Sequence, residues 1–156
     1  MLLLVVIAHP DDESFGCGSV LAHAKHTGYE TAVACATRGE AGESRVATTD
    51  LAAVREAELR AAAGILGVGE VRLLDYVDSG MGGDPAPGTL AAADPRQVAS
   101  QVRSLIADLR PEVVVTLDAS DGHRDHVVIR DATVAAVDSA SHPPAATYLW
   151  CLARSS

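Results

Sequence analysis

The chain predicts an α/β fold, a Rossmann-like doubly wound and mostly parallel sheet with helices on both faces. Short apolar runs rich in β-branched residues recur along it. Segments of helical spacing stand between them, and the runs are apolar throughout rather than alternating, as strands buried on both faces require.

The elements follow in order. The first run, LLLVVIA at 2–8, is halted by His9, and the helical pattern at 14–27 meets its stop at Gly28. ETAVACAT at 30–37 is the second strand, and 50–66 a helix that opens at Asp50 and closes at Gly67. EVRLLD at 70–75 is the third strand, followed by a helix at 95–109 with Asp94 as cap and Pro95 at its first position. EVVVTLD at 112–118, a helix at 125–138 and a last strand, ATYLWCL at 146–152, complete a βαβαβαβαβ order. Right-handed crossovers wind that order on both sides of one sheet. Two connections, 38–49 and 76–93, are longer than such a fold needs, rich in Gly and charge, and leave strand carboxyl ends, where this architecture places ligands.

With 156 residues, 48% of them hydrophobic, the expectation is a single domain over 1–156. A net charge of −9 and a pI near 4.9 oppose binding to nucleic acid or an anionic membrane. The opening MLLLVVIA lacks the basic start of a signal peptide, and no apolar run approaches the ~20 residues of a membrane span. Cys17, Cys35 and Cys151 are far apart with no C-x-x-C pair, which predicts neither disulfides nor a cysteine zinc site, and a cytoplasmic location. Cys17 and Cys35 read as packing residues, and His23, His26 and His142 as ordinary exposed or helix-end histidines.

The stretch that folding does not explain is AHPDDE, residues 8–13, because adjacent carboxylates repel one another. His9 and Asp12, three apart just past the first strand, can converge on a metal ion. A second cluster, His123, Asp125 and His126, follows the fourth strand as H-x-D-H at a helix start. In the common doubly wound order the first and fourth strands are neighbours, so the two clusters meet at the crevice between their ends. His9, Asp12 and one histidine of the second cluster make a nitrogen and oxygen set with a position left for water, the composition of a catalytic zinc site. Asp11 stands beside it as a base, and Glu13 is expected to orient a ligand histidine or to favour the helix start.

With AHPDDE at 8–13 and HRDH at 123–126, the chain resembles the PIG-L or LmbE-like deacetylases, named after the enzyme that de-N-acetylates N-acetylglucosaminyl-phosphatidylinositol. ATRGEAGESR (36–45), REAELRAAAGILGV (55–68) and DSGM (78–81) extend the likeness, the last toward actinobacterial mycothiol-type members. The resemblance implies a zinc ion on His9, Asp12 and His126, with Asp11 as general base. It implies a protonated His123 that stabilises the oxyanion or hands a proton to the leaving amine, with Asp125 supporting it. Asp78, Arg55 and Glu40 or Glu43 match positions linked to sugar binding. The chain departs from the family at Asp121, where members carry a small or aromatic residue, so tyrosine-based help to the oxyanion is not expected from that position. It is also expected to lack the C-terminal segment that in the family walls the cleft.

The sequence thus predicts a zinc-dependent hydrolase that removes an N-acetyl group from an acetylated amino sugar, a small molecule, releasing free amine and acetate. A homo-oligomer is compatible with this reading. The alternatives are a non-catalytic zinc- and sugar-binding module and another metal-dependent hydrolase on the same sheet. A nicotinamide enzyme is disfavoured, because the acids stand where pyrophosphate would have to approach. A magnesium phosphotransferase leaves the histidines of the two motifs unexplained.

Overall fold

A computed structural model describes residues 1–43 and 49–151. The chain runs β1 (Leu2–Ile7), α1 (Asp12–His26), β2 (Glu30–Thr37), α2 (Leu51–Leu66), β3 (Glu70–Tyr76), α3 (Pro95–Leu109), β4 (Val113–Leu117), α4 (Arg124–Asp138) and β5 (Ala146–Trp150). A short 3₁₀ turn, Leu90–Ala92, precedes α3. The five strands pair in the order β3-β2-β1-β4-β5, all parallel. This is the doubly wound sheet the apolar runs predict.

β1 is central and apolar from end to end, and Leu4, Val5, Val6 and Ile7 are fully buried between its neighbours. α1 packs on α2 and α3 on α4, so the two helix pairs cover the sheet. α3 presents Val98, Val102, Leu105 and Ile106 inward, a helical stripe. Burial pushes the Cys17 thiol up to about 12 and Cys35 well above its usual range, in keeping with inert packing residues. Among the described residues no helix is long and apolar enough to cross a membrane.

The caps hold as read. Asp50 accepts from Ala53 N, Asp94 from Arg96 N with Pro95 behind it, and Gly67 closes α2 in the left-handed region. The differences lie at the ends of β1 and β4, where the site forms. α1 begins at Asp12 rather than at residue 14, because Asp11 takes a left-handed φ of 84° and its carbonyl receives the first helical bonds, from Ser14 and Phe15. Asp12 and Glu13 therefore belong to the first turn. α4 starts at Arg124, one residue early, with the His123 ring as its N-cap, accepting from Asp125 N. Leu152 of the last expected strand, and residues 44–48 of the first long connection, lie outside the described residues. The second long connection is partly ordered by backbone bonds between Val77 and the 88–90 segment.

The sheet changes direction between β1 and β4. From β1 the chain winds outward to β3, then returns through α3 to β4 on the other side of β1, in register Leu3↔Val113 through Val6↔Thr116. Helices leave these two strands toward opposite faces, which opens a crevice at their carboxyl ends. Residues 8–13 and 118–126 line it.

Candidate metal centre

Asp12 sits at the middle of the site. Its Oδ2 accepts the backbone N–H of His9 at 3.0 Å, closing the turn, and lies 3.7 Å from His9 Nδ1 and 3.3 Å from His126 Nε2. Each histidine uses its other nitrogen on a further carboxylate: His9 Nε2 is 3.0 Å from Asp125 Oδ2, and His126 Nδ1 is 2.7 Å from Asp121 Oδ2. A carboxylate accepts, so each outer nitrogen carries a proton, and each inner nitrogen faces Asp12 where it can offer a lone pair once a cation is bound. His126 Nε2 is buried and makes no hydrogen bond. These donors fit a divalent cation.

Two triplets satisfy the distances for a shared ion, His9 with His123 and His126, and His9 with Asp78 and Asp125, ligand atoms within 4.8 Å of one another. The first puts His123 in the place of Asp12 beside His9 and His126, and the hydrogen bonds bear on the second. Asp125 already spends Oδ2 on His9 and on Ser79 N, and Asp78 spends Oδ1 on Gly80 N. These acids act as partners of His9 more naturally than as ligands beside it.

The electrostatics follow from this ring of acids. Burial alone would lower His9; Asp125, Asp78 and Asp12 outweigh it and raise the ring to about 9 in the metal-free site. His126 is raised in the same way, burial being outweighed by Asp12 and Asp121. For Asp78 burial pushes upward, and the bond to His9 with the Gly80 amide overrides it, holding the carboxyl well below the usual range.

Three expected contacts take another form here. His123 was expected to be protonated, yet burial first, then the neighbouring His9 and His126, lower it. Its Nδ1 accepts the Asp125 amide at 3.1 Å, which requires a lone pair there. With Nδ1 accepting, the N–H of the ring is on Nε2. Asp125 was expected to support His123, but only its backbone does so, and its carboxylate belongs to His9. Glu13 likewise orients no histidine: it is fully buried, accepts from Ser14 Oγ, and leaves Oε2 without a hydrogen bond. Burial first, with Asp11 adding, raises it.

Around this centre, Asp11 stands exposed at the rim, its Oδ2 3.1 Å from Arg55. The Arg55 guanidinium also donates to the carbonyls of Pro10 and Gly39, tying the two loops together. A Cβ on Gly39 or Gly42 would run into that guanidinium, which is why G-E-A-G carries glycines there. Glu40 accepts from Asp78 N at 3.1 Å, and Glu43 is exposed at the margin of the described residues. The sequence reading missed Ser79, whose amide meets Asp125, and Arg124, which donates to the carbonyls of Ser79, Gly80, Gly82 and Gly83. Their signals were the DSGM and HRDH motifs in which they sit and the length of the connection they order.

Residues 4–137 match the family described as PIG-L: GlcNAc-PI de-N-acetylase. The chain belongs to the PIG-L family. Among curated relatives it is similar to the 1D-myo-inositol 2-acetamido-2-deoxy-alpha-D-glucopyranoside deacetylase of Kineococcus radiotolerans, 40% identical, with 86% of this chain and 44% of the relative covered. The enzyme of that name from Acidothermus cellulolyticus is 40% identical over 87% of this chain and 53% of its own. The chain thus spans about half the length of these two relatives. Among solved structures, a conserved protein of Thermus thermophilus superposes with a TM-score of 0.72 at 32% identity, covering 95% of this chain and 64% of its own. A deacetylase of teicoplanin biosynthesis gives 0.71 at 28%, over 88% and 63%. The 4-carboxy-2-hydroxymuconate hydratase of Pseudomonas putida gives 0.71 at 25%, over 88% and 55%, so this PIG-L fold also hosts another reaction.

Proposed function

We propose that this chain carries the catalytic centre of a zinc-dependent N-deacetylase that removes the acetyl group from an N-acetylglucosamine-type sugar, a small-molecule substrate. The observation that carries the reading is the inward pair of imidazole nitrogens, His9 Nδ1 and His126 Nε2, facing the shared Oδ2 of Asp12 at 3.7 and 3.3 Å. The sugar part rests on the named relatives at 40% identity, since fold alone is shared with a hydratase.

His9, Asp12 and His126 would hold the ion, which when bound polarises the amide carbonyl and makes water acidic enough to lose a proton near neutral pH. Asp11, at the rim beside the centre, takes that proton as water attacks the acetamide carbon. His123 keeps its Nδ1 on the Asp125 amide, so its Nε2–H donates to the developing oxyanion. The proton held by Asp11 then passes to the departing amine, and acetate leaves. Asp78, Glu40 and Arg55 flank the crevice where sugar hydroxyls would bind, and Glu43 stands further out.

The test is amine release from 1D-myo-inositol 2-acetamido-2-deoxy-α-D-glucopyranoside and simpler acetylated glucosamines by zinc-loaded protein. Amine and acetate in equal amounts, abolished by a chelator and restored by zinc, are expected. A chain that binds zinc and releases no amine from any of them is a binding module, and the hydrolase reading falls.

A further inference from the structure

The carboxylate of Asp121 serves two donors. Oδ1 accepts the backbone N–H of His123 at 3.0 Å, and Oδ2 meets His126 Nδ1 at 2.7 Å. His126 is buried, Asp121 half exposed at the start of the turn into α4, and the inner nitrogen of His126 is the buried atom left without a hydrogen bond. We propose that Asp121 is the positioning residue of His126: it fixes the ring and its Nδ1–H form, so that Nε2 offers its lone pair toward Asp12.

This rests on the metal reading above and deepens it. His9 obtains the same support from Asp125, far along the chain, whereas His126 draws it from a residue five positions earlier. An imidazole hydrogen-bonded to a carboxylate is a stronger donor to a cation than one that is not, and loss of such a partner typically lowers affinity ~10–100-fold. At this position, where the family resemblance places a small or aromatic side chain, Asp121 gives the chain a different means of fixing its second histidine.

The variants separate this role from simple loop closure. Asp121→Ser keeps an oxygen for the His123 amide but is too short to reach His126. Asp121→Asn has one oxygen for two donors, and its NH₂ turned toward Nδ1 favours the wrong tautomer. Metal-stripped wild type and both variants are titrated with zinc against a chromophoric chelator, with melting of the metal-free proteins followed in parallel. Expected are about one zinc per wild-type chain and a ~10–100-fold weaker affinity in each variant, with metal-free melting little changed. Proton NMR of zinc-loaded wild type should show an exchange-protected ring N–H that Asp121→Ser loses. Affinity within twofold of wild type in Asp121→Ser overturns the proposal while leaving the metal reading intact. A wild-type chain that binds no zinc overturns both, a result visible in the first titration alone.

Discussion

The carboxylate of Asp125 lies 3.0 Å from Nε2 of His9, joining the first turn of α4 to the end of β1 across 116 residues of sequence. The same Oδ2 accepts the Ser79 amide, so one buried acid fixes His9 and the loop after β3 together. Asp125→Asn can keep its one oxygen on both donors, but it removes the charge that balances His9 and puts an NH₂ where the buried Oδ1 has no hydrogen-bond partner. Zinc affinity should fall ~10–100-fold, measured by chelator competition, while circular dichroism shows an unchanged helix content. Wild-type affinity in this variant would mean that His9 needs no orienting acid.

His123 and His126 stand three apart in one motif, their rings 4.8 Å apart, yet the proposed mechanism gives them different tasks. His126→Ala removes an inner nitrogen and should leave less than one zinc per chain by elemental analysis. His123→Ala should retain its zinc and lose ~10²–10³ in turnover, the usual cost of an oxyanion donor. If both variants lose metal equally, His123 is a ligand and the division of labour is wrong.

Much of the frame was legible because local rules and the fold agree. Continuous apolar runs mark strands buried on both faces, and Asp94-Pro95 and Gly67 mark helix ends by their own chemistry. The meeting of residues 9–12 with 123–126 followed from strand order alone. Which acid would take which imidazole nitrogen did not follow, because a spacing shows neighbours and not ring orientation. Asp125 was assigned to the nearby His123, although its side chain points back to His9 after β1 while its amide donates to the His123 ring that caps α4. Glu13 looked like a site acid by its place in the run, but a shift of the helix start to Asp12 turns it into the core.

Arg124 fills the variable place of H-x-D-H and acts on the neighbouring loop. Its guanidinium reaches four carbonyls, those of Ser79, Gly80, Gly82 and Gly83, and so fixes a glycine-rich segment that carries no apolar anchor of its own. Hydrogen bonds to a charged donor are worth ~1.5–3 kcal/mol each, so losing even one speeds local opening about tenfold. Arg124→Ala should therefore raise amide exchange across 79–83 by at least that order, as read by mass spectrometry, with β1 and β2 unchanged. Unaltered exchange would show that the loop is held from elsewhere.

Two helical glycines should respond to alanine with opposite signs. Gly64, inside α2, has open space where a Cβ would go, so Gly64→Ala removes backbone freedom from the unfolded chain and meets no obstacle. A gain of ~0.5–1 kcal/mol is expected, a rise of about 1–4 °C in Tm for a chain of this size. Gly16, inside α1, lies against the Trp150 indole of β5, and a Cβ there would overlap the ring. The indole must shift on β5, an edge strand paired with β4, and the lost packing exceeds the propensity gain. Gly16→Ala should lower Tm by a few degrees in the same melting experiment. The double variant Gly16→Ala with Trp150→Leu removes the overlapping ring, so the further drop on adding Gly16→Ala should vanish; if it persists, the cost lies in α1 itself and not in its contact with β5.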